Sequence, residues 1–63
     1  MRDMLILCTS EIELAEAELG YMLTKGQACD LLLDHFSTIQ SVRQAKRIIA
    51  HMIRPWADYA KRD

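Results

Sequence analysis

The fold is decided by residues 5–22, which read LILCTSEIELAEAELGYM. Six residues of this stretch follow one another at steps of three and four and so share one stripe of an α-helix: Leu5, Cys8, Ile12, Ala15, Leu19 and Met22. Ser10 is followed three residues later by Glu13, a capping-box pattern typical of a helix start. Residues 3–9 either extend this helix back to a cap at Asp3 or form a short apolar strand or arm, and we favour the extension.

The first helix is predicted to end at Gly26. Lys25 complements the negative end of the helix dipole, and Gly26 can adopt the left-handed conformation that ends a helix without steric strain. Gly20 is placed inside the helix, where it forms a patch of small residues with Ala17 that another helix can approach closely.

Residues 27–54 contain neither glycine nor proline and form one long helix or two. The apolar stripe shifts near residues 37–41, where Ser37 and Ser41 each have a glutamine three residues on. Ser37 and Thr38 are good N-cap residues and poor interior ones, so we predict a bend or turn there. Pro55 is predicted to end the helix near Arg54 and to begin a short helical segment of its own.

These patterns predict a single all-α domain of residues 1–63, folded as a helical hairpin or a three-helix chain with breaks near Gly26, residues 37–41 and Pro55. A chain of this size buries only about 60% of its unfolded surface, yet 51% of its residues are hydrophobic. We therefore expect two chains to fold together as a dimeric helical bundle. The predicted interface consists of Leu5, Ile12, Leu19, Met22, Leu32, Phe36, Ile49, Met52, Trp56 and Tyr59.

Cysteine content and hydropathy indicate a cytoplasmic protein. Two cysteines make no disulfide scaffold, which favours a reducing compartment. The longest apolar run, MLILC at residues 4–8, is far shorter than a bilayer span. Arg2 is followed at once by Asp3, and MLILC runs straight into polar sequence, so we expect neither a signal peptide nor membrane binding.

Charge is segregated along the chain. Residues 1–42 carry seven acidic and two basic residues, whereas residues 43–63 carry six basic and two acidic ones. Four cations of the second half are predicted to share a helical face that can lie along a phosphate backbone: Arg43, Lys46, Arg47 and Arg54. Nucleic-acid binding is thus an alternative function. The near-neutral net charge of -1 and the acidic first helix favour instead a solvated or ion-paired role for these residues.

Metal binding and catalysis are not expected. The possible ligands Cys8, Cys29, His35 and His51 lack the short paired spacing of zinc sites, so we predict no metal and no cofactor. His35 is interpreted as a histidine at the edge of the core. No nucleophile has a recognisable base beside it, and there is no glycine-rich phosphate loop, so we predict that the protein is not an enzyme.

An acidic helix, a turn and a longer basic helix resemble, in length and outline, the Rop-type plasmid copy-number proteins, whose two-helix hairpins dimerise and bind RNA. No residue motif is shared, so no RNA-contacting position is carried over. The short, helix-dense, cysteine-poor chain also resembles the small early-region regulatory proteins of lambda-like temperate phages, which bind other macromolecules to adjust host physiology. That resemblance implies a regulator in the bacterial cytoplasm that binds a protein partner stoichiometrically and needs no cofactor.

Overall fold

The computed structural model describes residues 2–60, with side chains for residues 3–60. It contains three helices, α1 (Arg2–Leu19), α2 (Lys25–His35) and α3 (Val42–Ala50), and no strand within the described range. The prediction of an all-α domain is confirmed, and of the two predicted architectures the chain adopts the three-helix one. No helix between residues 2 and 60 combines the length and the apolar character that crossing a bilayer requires.

Helix α1 extends back to Arg2, as the continuous stripe favoured. Cys8 is fully buried and Met4 and Leu5 pack against the core, so packing stabilises the first turns of the helix. Asp3 lies within the first turn, so the predicted cap at Asp3 is wrong. Ser10 therefore lies inside the helix, so the favoured extension over residues 3–9 is confirmed, and the alternatives of a strand or arm there and of a helix start at Ser10 are excluded.

The reversal between α1 and α2 lies at Gly20, and its prediction at Gly26 is wrong. Gly20 has a φ of +81°, a left-handed conformation that glycine adopts without strain, and its amide donates to the carbonyl of Glu16 at 2.8 Å. The helix thus ends at Leu19, one residue before the glycine that we placed in its interior. Met22 consequently lies in the turn and not on the first helix.

A capping box starts α2 and explains why Gly26 is helical. The Thr24 hydroxyl accepts a hydrogen bond from the Gln27 amide at 3.1 Å, and the Gln27 side chain accepts one from the Thr24 amide at 3.0 Å. Because Thr24 precedes Lys25, Gly26 falls in the first turn of α2.

The predicted break at residues 37–41 is confirmed. Helix α2 ends at His35, and α3 begins at Val42. Ser41 caps α3, because its hydroxyl accepts a hydrogen bond from the Gln44 amide at 3.2 Å. The alternative of one continuous helix over residues 27–54 is therefore excluded.

The chain leaves α3 well before Pro55. Helix α3 ends at Ala50, and the amide of His51 bonds back to Ile48, a tightening typical of a last turn. Residues 51–60 contain no helix, so the predicted helical restart at Pro55 is wrong. The Ala57 amide donates to the Leu23 carbonyl at 3.0 Å, which ties the C-terminal segment (residues 52–60) to the α1–α2 turn.

One hydrophobic core joins the three helices. Its buried residues come from every helix and from the connecting segments: Cys8, Ile12, Leu23, Ala28, Cys29, Leu32, Ile39, Ala45, Ile48, Ile49 and Met52. Four predicted interface residues, Ile12, Leu32, Ile49 and Met52, thus lie in the core of a single chain, and Leu5, Phe36 and Trp56 pack against it. A two-helix hairpin has one turn, whereas this chain has two. Its three helices can therefore pack their apolar stripes against one another within a single chain.

Candidate protein-interaction surface

Helix α1 carries large apolar side chains on the side away from the core. Ile6, Leu7 and Leu14 are 59%, 55% and 60% exposed, and the small residues Ser10 and Ala17 lie exposed among them. At 100° per residue, all five project away from the buried Cys8 and Ile12. We call these five residues the outer face of α1. Leaving three such side chains in water forfeits about 1 kcal/mol or more each relative to full burial.

The outer face lies outside the predicted interface, although the sequence carries a signal for it. Leu7, Ser10, Leu14 and Ala17 follow one another at steps of three and four, as the core stripe does. Helix α1 is thus apolar on two sides, and the core uses one of them. Of the predicted interface residues, Leu19, Met22 and Tyr59 are exposed, at 49%, 39% and 80%.

Three exposed carboxylates border the outer face: Asp3, Glu13 and Glu18. The other two acidic residues of α1 have partners inside the chain. Glu11 Oε1 lies 3.5 Å from Nδ1 of His35, whose ring also contacts Phe36 edge-on at 4.7 Å. The His35 side chain is 49% exposed, so it lies farther from the core than we predicted.

Glu16 is the second partnered carboxylate. Its Oε2 accepts hydrogen bonds from Arg54 Nη2 and from the Leu23 amide, the latter at 2.8 Å. The side chains of Glu16 and Arg54 are only 14% and 12% exposed. Burial alone raises the pKa of Glu16, but the hydrogen bonds from Arg54 and Leu23 and the charge of Arg54 bring the pKa below its ordinary value.

Arg54 also contacts the two residues that follow it in the C-terminal segment. Its guanidinium lies 4.4 Å from the centre of the Trp56 ring, a cation–π contact, and its Nε donates to the Pro55 carbonyl at 3.1 Å. Trp56 packs against the core, as a cover over it. Tyr59 is 80% exposed and does not join the core.

The predicted basic face is only partly assembled. Arg43, Lys46 and Arg47 are exposed on one side of α3, and none pairs with a carboxylate within residues 2–60. Arg54 lies beyond the end of α3 and faces Glu16, so its placement with the other three is wrong. Among the arginines and lysines of residues 3–60, only Arg54 forms an ion pair with a carboxylate of α1.

Both cysteines are free and belong to the core. Cys8 is fully buried and Cys29 is 4% exposed. Burial raises the pKa of both thiols; for Cys29 the charge of Lys46 opposes the rise and that of Asp30 adds to it. The thiols therefore behave as small apolar side chains. No group of three or more potential metal ligands occurs in the described part of the chain.

Comparison of the chain with family models, with curated proteins and with solved structures finds no match in any of the three. The resemblances to Rop-type hairpins and to small phage regulators stay predictions.

Proposed function

We propose that the protein is a non-enzymatic interaction module that forms a homodimer through the outer face of α1. The observation that carries the proposal is the exposure of Ile6, Leu7 and Leu14 on one side of a helix whose opposite side fills the core. Surface apolar residues are ordinary when scattered, but a contiguous group on one helix face marks a contact surface.

An antiparallel pair of α1 helices fits this face best. With the two-fold axis beside the outer face at the level of residue 12, Leu7 lies opposite Ala17 of the second copy, and Leu14 lies opposite Ser10 of the second copy. Leu7 and Leu14 then each meet a small side chain, which lets the helices approach closely, whereas Ile6 lies opposite Glu18 of the second copy. A parallel pair sets leucine against leucine and small against small, which leaves gaps. Antiparallel helix dipoles also attract each other.

The dimer is expected to dissociate into folded monomers. The core is buried within one chain, so the fold does not require the second copy. A stable interface buries about 800 Å² per subunit, roughly one sixth of the 4796 Å² surface of this chain. Three large apolar side chains supply only part of that area, and Glu13 and Glu18 of the two copies repel one another. We therefore propose a reversible dimer that added salt strengthens.

Sedimentation equilibrium over a range of protein and salt concentrations tests the dimer. Leu14→Asp places a charge in the proposed dimer interface and is expected to give a folded monomer. The matched control is Ile53→Asp, the same kind of change at a fully exposed residue of the C-terminal segment, which is expected to leave the dimer intact. A wild-type protein that stays monomeric at every concentration, or equal dissociation by both variants, would rule the proposed face out.

We further propose that the module acts by binding a protein partner stoichiometrically in a bacterial cytoplasm, as the resemblance to small phage regulators implies. Two free, buried cysteines support a reducing compartment. Affinity capture from bacterial lysate, with and without nuclease, tests the class of partner. A protein that is retained in stoichiometric amounts after nuclease treatment supports the proposal, and loss of all bound material with nuclease contradicts it.

Nucleic-acid binding is the second candidate, because Arg43, Lys46 and Arg47 share an exposed face of α3 without carboxylate partners among residues 2–60. The acidic α1 and the net charge of -1 weigh against it. The test is fluorescence anisotropy with duplex DNA and structured RNA. Salt-sensitive binding that is lost in a folded Arg43→Ala/Arg47→Ala variant would favour this candidate over the first.

A further inference from the structure

A second apolar surface lies between α1 and α2, separate from the outer face of α1. It is an open groove of about 520 Å³. Its apolar walls are formed by Ala15 and Leu19 of α1, Leu23 of the turn and Leu31 of α2. Leu19 is 49% exposed although it continues the core stripe of α1, because the helix ends there and nothing within the described chain packs over it.

Two carboxylates line the same groove. Asp30 and Asp34 are one turn apart on α2, are both exposed, and form no ion pair within residues 2–60. No basic residue lines the groove. The groove therefore exposes both apolar side chains and unpaired negative charges. A cationic, amphipathic ligand would bury the apolar side chains and pair with the carboxylates.

We propose that this groove binds a basic amphipathic helix of a partner protein. Apolar side chains spaced three and four residues apart on the partner would contact Leu19, Leu23 and Leu31, and lysine or arginine side chains beside them would pair with Asp30 and Asp34. The inference rests on the proposed interaction function for its context, but it uses a different face from the dimer.

The charge pattern decides among the possible occupants. A nucleic acid or an anionic lipid surface would be repelled by Asp30 and Asp34. The basic helix of a second copy does not fit, because the apolar residues Ala45, Ile48 and Ile49 of α3 are buried in their own core, which leaves only its charged side free. A separate protein that presents a free basic amphipathic helix is the occupant that matches.

The test uses a fluorescently labelled probe peptide of about 18 residues, five helical turns, with leucines on one face and lysines beside them. The control peptide has the same composition in scrambled order. We expect the 63-residue chain to bind the probe, to bind the scrambled peptide far more weakly, and to release the probe as salt is added. This salt dependence is opposite to that of the dimer, so failure of one proposal is distinguishable from failure of the other.

Three variants locate the binding site. Asp30→Asn/Asp34→Asn is expected to weaken probe binding by about three- to tenfold and to remove most of its salt dependence. Glu13→Gln/Asp58→Asn removes the same charge elsewhere and is expected to leave binding unchanged. Leu19→Ser is expected to weaken binding at every salt concentration, with circular dichroism as the check that the variant is folded.

Methyl chemical-shift mapping gives a second readout that does not depend on the variants. Shifts are expected at Ala15, Leu19, Leu23 and Leu31. The proposal is overturned if the probe shifts Ile6, Leu7 and Leu14 instead, if the scrambled peptide binds equally well, or if Asp30→Asn/Asp34→Asn binds as the wild type does.

Discussion

Arg54 donates a hydrogen bond to Glu16 across 38 positions of the chain, and this contact fastens the C-terminal segment to α1. The same carboxylate oxygen accepts the Leu23 amide, and the Leu23 carbonyl accepts the Ala57 amide. One acidic side chain thereby connects a helix, a turn and the C-terminal segment. In a chain with so small a core, a largely buried contact of this kind is expected to carry a substantial share of the stability.

Replacing Arg54 with methionine is expected to lower the free energy of unfolding by about 1–3 kcal/mol, because Glu16 is left largely buried with one hydrogen-bond donor in place of two. Urea denaturation measures the change. Arg43→Met, at an exposed arginine without a partner among the described residues, is the control and is expected to stay within about 0.5 kcal/mol of the wild type. Equal effects of the two variants would contradict the structural role of the pair.

The lowered pKa of Glu16 predicts how stability depends on pH. A carboxyl group with a lower pKa in the folded than in the unfolded chain stabilises the fold above its ordinary pKa of 4.5, and this contribution is lost as the pH falls through the folded-state value. The difference in unfolding free energy between wild type and Glu16→Gln should therefore be large near about pH 7 and shrink toward about pH 3. A difference that stays constant over this range would contradict the assigned pKa direction.

The helical periodicity was readable from the sequence because packing follows it directly. Cys8 and Ile12 of the first stripe, and Leu32 and Ile49 of the second half, all lie in the core. A helix start near residues 37–41 was readable too, because a hydroxyl reaches the amide three residues on whatever the tertiary fold, although the cap is Ser41 and not Ser37 or Thr38. Local chemistry of this kind acts within one helical turn and needs no knowledge of distant contacts.

The features that were missed depend on distance or on competition between neighbouring signals. The pairing of Glu16 with Arg54 has no local signature, because the two residues meet only after all three helices have packed. The spacing of an apolar stripe likewise does not show whether its own chain or a second copy buries it: the stripe alone predicts Ile12 and Ile49 in a dimer interface, and the structure buries both in the core of one chain. At the first turn, Gly20 and Gly26 are both typical of a helix end, and the sequence alone does not show which of them ends α1.

The buried cysteines are predicted to be poorly reactive in the folded protein. Cys8 is inaccessible, and burial raises the pKa of both thiols, which lowers the thiolate fraction at neutral pH. Alkylation by iodoacetamide, followed by mass spectrometry, is expected to be at least about 100-fold slower in buffer than in urea, because reaction requires opening of the fold. The destabilised Arg54→Met variant should react faster, and native rates close to those in urea would contradict the burial of both residues.

The two glycines are predicted to respond to alanine with opposite signs. At Gly20 an added Cβ meets no atom within 4 Å, so the effect of Gly20→Ala comes from the backbone alone, whose φ of +81° is unfavourable for alanine. We expect destabilisation by about 1–2 kcal/mol. At Gly26 the Cβ would lie 3.8 Å from the Thr24 hydroxyl, an ordinary contact, in a helical backbone. Gly26→Ala is therefore expected to stabilise the fold by about 0.5–1 kcal/mol.

Thermal and urea unfolding of the two alanine variants, compared with wild type under the same conditions, measure this difference in sign. The pair is its own control, because the chemical change is identical and only the backbone conformation differs. If the reversal were at Gly26, as the Lys25–Gly26 pattern alone predicts, the order would be inverted: Gly26→Ala would destabilise the protein, and Gly20→Ala would stabilise a continuous helix. The inverted order would therefore contradict both the end of α1 at Leu19 and the start of α2 at Lys25.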